Sequence, residues 1–182
     1  MTPSEKIIEQ TKKWIQDVII GCNFCPFAAK VVKQNQVHYA VDESSSLAVC
    51  VTGFIKELEL LDNDASIETS FVIYPNLFQL FSDYLHFISI AENSIVQKGY
   101  EGIYQVASFH PLYQFEGSDL TDAANFTNRS MYPMLHLLRE KSVEKALQNY
   151  KNPDEIPERN IEFARKKGLV YMQMLRDACF GL

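Results

Sequence analysis

The stretch "IETSFVIYP" at 67–75 decides the fold. It is rich in β-formers and halted by Pro75, which cannot donate to a strand ladder, so it reads as a strand. "VHYAVD" at 37–42 alternates polar and apolar residues as a strand does, and "IYQVASF" at 103–109 makes a third. Helical spacing fills both gaps, over 47–61 behind Ser46 as cap and over 77–97, stopping near Gly99. The resulting β-α-β-α-β order predicts right-handed crossovers and a mixed or partly parallel sheet of about three strands, an α/β or α+β class.

Upstream, Thr2, Pro3 and Glu5 form a capping-box start, and Ile7, Ile8, Thr11, Trp14, Ile15, Val18 and Ile19 recur at helical spacing, predicting a helix over 3–20 that ends at Gly21. Pro26 opens a short second helix, "PFAAKVVKQ". Beyond the third strand the pattern reads as helical at 131–141, 143–150, 157–167 and 169–178, giving a helical C-terminal third. A chain of 182 residues that is 47% hydrophobic is expected to form one domain around one core.

The net charge of −6 repels phosphate backbones and argues against a nucleic-acid partner. No run of about 18 apolar residues and no signal-peptide pattern is present, so a membrane role is not expected and a cytoplasmic location is. Four cysteines, Cys22, Cys25, Cys50 and Cys179, are too few for a disulfide scaffold and read as reduced thiols. Phosphate-loop, dinucleotide and serine-hydrolase signatures are absent, and the sequence names no cofactor.

Polar residues gather in two places. The segment 110–130 has no clean periodicity and leaves the end of a predicted strand, where open α/β sheets bind ligands. His110, held extended by Pro111, suits acid–base chemistry there, and equally suits a histidine that only orders its loop. Within "NFTNRSMYPMLHLLRE" at 125–140, helical spacing sets His136 and Arg139 on one face with Glu140 four residues from His136. Arg129 and the amide of Asn128 beside a helix start would make an anion site. Ser108, Tyr113, Asn128, Arg129 and Arg139 are the candidate substrate contacts.

Cys22-Asn23-Phe24-Cys25 followed by Pro26 places a thiol near a helix start, and the segment is similar to the opening of a glutaredoxin. The helix read before it, where a thioredoxin fold needs a strand, argues against dithiol redox chemistry. A metal site would require Cys25, His110 and His136 to meet, together with an acid such as Asp122.

"GCNFCPFA" at 21–28, "EGIYQVASFHPLYQFEG" at 101–117, "NFTNRSMYPMLHLLRE" at 125–140 and "IPERNIEF" at 156–163 closely resemble the family called domain of unknown function 1415. The resemblance runs over nearly the whole chain. It implies that Cys25, Pro26, Phe27, His110, Pro111, Asn128, Arg129, Pro133, His136 and Arg139 belong to a shared pattern, from which Cys22 departs. It implies no reaction.

Two functions follow as expectations. One is a small enzyme in which Cys25 or His110 is nucleophile or base, His136 oriented by Glu140 assists, and Arg129 with Arg139 holds an anionic small molecule for hydrolysis or group transfer. The other is a non-catalytic protein that binds an anion or a partner through the same arginines.

Overall fold

The computed structural model describes residues 1–181. Helix α1, Pro3–Trp14, starts on the expected capping box, with Glu5 N–H donating to Thr2 Oγ1 at 3.2 Å and Thr2 N–H to Glu5 Oε2 at 2.7 Å. The helix winds on as a π-turn over Ile15–Ile20. Gly21 follows because a Cβ there would lie 2.3 Å from the Asp17 carbonyl oxygen. Only glycine lets the chain pass that close and enter the Cys22–Cys25 turn.

Strands β1 (Val37–Val41), β2 (Thr69–Ile73), β3 (Tyr104–Phe109) and β4 (Met134–Arg139) form one mixed sheet in the order β1-β2-β4-β3. β1 and β2 pair in parallel, and β4 runs antiparallel to both of its neighbours. The sheet therefore has four strands where the sequence predicts about three. The fourth is "MLHLLR", read above as part of a helix over 131–141. Its apolar residues are nearly continuous, as in a central strand buried on both faces, and a short run of that kind does not separate helix from strand by periodicity. Pairing with two neighbours then outweighs local propensity.

The correction moves side chains. In a strand, residues three apart point to opposite faces, so His136 and Arg139 are separated instead of aligned.

Helices α3 (Leu47–Asn63) and α4 (Phe81–Gln97) cover one face, burying Phe54, Leu58, Phe87 and Ala91 against Val72, Leu135 and Leu137. Ser46 precedes α3 without making the expected side-chain cap. The other face receives α1, the π-turn, α6 (Ile156–Lys167) and α7 (Leu169–Asp177), where Trp14, Val18, Ala164 and Met172 meet Phe71, Ile73 and Met134. Short helices α2 (Ala28–Lys33) and α5 (Glu140–Gln148) complete the helical set. No described helix is long and apolar enough to cross a membrane.

Arg139, expected to contact substrate, instead closes the C-terminal end of α3. Its Nη2 donates to the carbonyls of Leu61 at 2.6 Å, Ile67 at 2.9 Å and Asp64 at 3.2 Å, and the guanidinium lies over Tyr104. A cation on the orphan carbonyls of a helix end is favourable on both hydrogen-bond and dipole grounds. Arg139→Met is therefore expected to lower the unfolding free energy by about 2–4 kcal/mol, and Arg139→Lys to recover only part, because an ammonium cannot reach three carbonyls from one plane. Urea denaturation of the two variants reads the loss.

Candidate functional site

Strand β3 sorts the residues at its end. Gln105, Ala107 and Phe109 point to the α1 side, whereas Tyr104, Val106 and Ser108 point to α3 and α4. His110 continues the alternation: its ring is fully buried on the α4 side, 4.9 Å from Tyr84 and 5.2 Å from Phe81. Leu112 N–H donates to its Nδ1 at 2.9 Å, and its Nε2–H donates to the Phe78 carbonyl at 2.7 Å. Both nitrogens are spent on backbone, and burial lowers the ring's pKa. A ring in this state orders two loops and has no nitrogen left for proton transfer.

The remaining loop candidates serve the same purpose. Arg129 is buried, donating from Nε to the Tyr113 carbonyl and from Nη2 to that of Leu120, each at 2.9 Å, and its guanidinium lies 5.0 Å from the centre of the Phe126 ring. Asn128 Nδ2 donates to the Ser108 carbonyl at 3.2 Å, and Thr127 Oγ1 donates to Asn128 Oδ1 at 2.9 Å. Tyr113 packs between Phe81 and Phe115. The segment 110–130 is thus an ordered loop whose polar residues hold one another.

Its inner wall is different. A cleft of about 280 Å³ opens beside Cys25. Phe24 and Cys25 of the turn after Gly21 form one side, and Phe109 and Phe115 form another. Thr127 and Asn128 contribute from the loop, and Ile156, Pro157, Asn160 and Ile161 from the start of α6. All four sequence stretches quoted for the family resemblance therefore meet here. Side chains fasten the meeting: Asn160 Nδ2 donates to the Phe24 carbonyl at 2.7 Å, and Arg159 Nη2 to that of Asn23 at 2.6 Å. Asn23 itself takes φ 55°, a left-handed conformation that turns the chain toward α6.

Cys25 is half-buried and, with Cys22, a free thiol. α2 begins only at Ala28 and runs six residues, so the helix start expected to activate the thiol lies beyond it. Burial raises the Cys22 thiol. No histidine, arginine or lysine lines the cleft. Asp122 caps a 3₁₀ turn through Ala124 N–H and pairs with Arg165 at 2.7 Å. The set Cys25, His110, His136 and Asp122 is consequently not assembled, and no cluster of three or more metal-ligating side chains occurs among the described residues.

His136 lies on the same side of the sheet as Cys25. Its ring stacks on Phe71, 3.9 Å between centres, and stands 6.3 Å from Phe109. Thr69 Oγ1 sits 2.7 Å from Nε2 and donates its own hydrogen to the Leu137 carbonyl, so Nε2 carries the proton. Thr69, not Glu140, fixes the tautomer. Burial pushes the imidazole down to about 3.

A larger cavity, about 680 Å³, lies between α1, α2 and β1, yet none of the four stretches that carry the family resemblance lines it. Its Lys12 and Lys13 are paired with Glu9 and Asp17. The Cys25 cleft is the better candidate for chemistry.

A family model described as protein of unknown function (DUF1415) matches residues 6–174. The chain belongs to the DUF1415 family. No curated protein and no solved structure matches it. The DUF1415 chain also carries polar groups that the sequence reading did not single out. His38 Nδ1 lies 3.0 Å from Glu57 Oε2, which also accepts from Ser70 Oγ at 2.9 Å. Alternation in "VHYAV" marks His38 as facing away from Val37 and Tyr39, but its partners, on α3 and β2, become neighbours only through the parallel β1–β2 register.

The histidines give this DUF1415 chain a two-sided pH response. For His110 and His136 the folded pKa is depressed, so their contribution is complete above the unfolded value near 6.5 and is lost as acid protonates the unfolded chain, down to about 3 for His136. Each costs up to about 1.4 kcal/mol per pH unit in that window. His38 has the opposite sign: hydrogen bonding to Glu57 raises its pKa, so its stabilisation is present below the unfolded value and fades as pH rises through the folded one. At 36% side-chain exposure that contribution is small. His136→Phe should flatten the acid limb of a stability–pH curve measured by urea denaturation, and an unchanged limb would place the proton elsewhere.

Proposed function

We propose that this DUF1415 protein binds a small, mainly apolar molecule in the cleft around Cys25, in the cytoplasm, where its thiols stay reduced. The observation that carries the reading is the convergence of four distant stretches on one cavity with the thiol in its wall. Its volume, about 280 Å³, exceeds the roughly 150 Å³ cavity that accepts benzene and approaches the lower end of ordinary ligand pockets. The lining is aromatic and aliphatic, with the amides of Asn128 and Asn160 at its polar points.

Recognition is supported better than turnover. General acid–base catalysis needs a titrating group within about 3.2 Å of the reacting atom or one water away, and no histidine reaches the cleft wall. The anion expected from Arg129 and Arg139 finds both guanidinium groups engaged with backbone carbonyls. An apolar body is what the lining favours.

Alkylation of Cys25 tests this. With rates normalised to those of glutathione, N-benzylmaleimide is expected to modify Cys25 at least about tenfold faster than 3-maleimidopropionate, a difference of about 1.4 kcal/mol. Ile161→Arg, which sets a charge in the wall, should reverse the order. Equal normalised rates in wild type would sink the proposal.

A further inference from the structure

The two edges of the sheet are finished differently. Both ends of β3 have their backbone groups capped: Tyr104 N–H donates to the Tyr100 carbonyl at 3.1 Å, Asn128 Nδ2 to the Ser108 carbonyl at 3.2 Å, and His110 N–H to the Asn128 carbonyl at 3.2 Å. β1 has no such caps. The Gln36 carbonyl accepts from Glu68 N–H at 2.8 Å and Asp42 N–H donates to the Ile73 carbonyl at 2.9 Å, so the even-numbered residues turn their backbone toward β2. Alternation then turns the N–H and C=O groups of Val37, Tyr39 and Val41 outward, and these groups bond to no described residue. Such an edge is a template for another strand, and β1 has none of the lysines, prolines or bulges that ordinarily guard one.

The 680 Å³ cavity lies on the same strand. Val37 and Tyr39 line it with Val32 of α2, and Lys12, Lys13 and Gln16 line it from α1. A strand added to β1 would run about 4.8 Å beyond it, with alternate side chains beside those of Val37 and Tyr39, on the groove side. We infer that an extended, acidic peptide segment of a partner protein docks here as a fifth strand, its backbone paired with Val37, Tyr39 and Val41 and its carboxylates facing Lys12 and Lys13. This is strand addition, in which main-chain hydrogen bonds hold the peptide and the adjoining groove selects its side chains. The groove shares no residue with the Cys25 cleft. Charge sets the choice of partner. Residues 5–35, which include α1 and α2, carry five lysines against three acids in a chain whose net charge is −6. The Lys12–Glu9 and Lys13–Asp17 pairs are solvent-exposed and so weakly held that an incoming carboxylate can share their ammonium groups. A second copy of this chain would bring two lysine-rich walls together, and like charges facing across an interface oppose that pairing.

Two fluorescein-labelled hexapeptides serve as probes at neutral pH and low salt, one alternating Glu and Val and the other alternating Lys and Val. Anisotropy reads affinity, and amide hydrogen exchange by NMR reads the place. The acidic peptide is expected to bind saturably and at least about tenfold more tightly than the basic one. At saturation, exchange at the Tyr39 and Val41 amides should slow about tenfold or more, while His38 and Ala40, already bonded to β2, keep their protection. Val41→Pro removes an outward donor and leaves the bonds to β2 in place, so it should abolish binding while Ala40 stays protected. The double variant Lys12→Glu with Lys13→Glu should reverse the preference between the two peptides. Equal affinity for both peptides in the wild type, absence of binding, or binding that leaves exchange at Tyr39 and Val41 unchanged would overturn the inference. So would slowing at those amides without peptide that grows with protein concentration, because a second copy would then occupy the edge.

Discussion

The insertion of β4 between β2 and β3 governs the rest of the molecule. β1, β2 and β3 run the same way, and an antiparallel strand from the C-terminal half fills the central gap. Its alternation then distributes the chemistry. Leu135, Leu137 and Arg139 go to the α3–α4 layer, and Met134 and His136 go to the layer built by α1, the π-turn and α6. Arg139 becomes a clamp on the end of α3, and His136 becomes a neutral ring stacked against Phe71. A helix over the same residues would have set both on one face and built a different site.

The same period-two logic explains why the expected cysteine–histidine pairing does not form. Phe109 and His110 are adjacent in sequence and face opposite layers, so the one that lines the cleft with Cys25 is the phenylalanine. His110 is left to tie the Phe78 loop to the chain after β3. Arg129 similarly closes the 110–130 loop on itself through two carbonyls. What looked in sequence like an acid–base and anion-binding surface is, in the fold, the framework that shapes the wall of an apolar cleft.

Much of the architecture was legible from the chain. "VHYAV", "TSFVI" and "YQVASF" fall inside the strands read from alternation and β-rich composition, and the capping box placed the first helix to the residue. "MLHLLR" was not legible, because six residues with apolar neighbours on both faces carry no period that separates strand from helix. Partners distant in sequence were hidden for a different reason. Thr69 beside His136, Glu57 beside His38 and Asn160 beside Phe24 are fixed by strand register and layer packing, which single-chain spacing does not encode. Cys25, read from sequence as a catalytic candidate, and Asn128, read as a substrate contact, both line this cavity, and their company there, apolar where cations were expected, came only with the packing of α6.

The space beside Cys25 is proposed as the small-molecule binding site of this protein. The direct measurement is a methyl NMR titration of isoleucine-labelled protein with 4-phenyl-1-butanol. Saturable shifts are expected on Ile19, Ile156 and Ile161, which line the cleft, with Ile95 and Ile73 in the two cores unmoved. Absence of saturable shifts at those three methyls, or equal shifts spread over both cores, would contradict it.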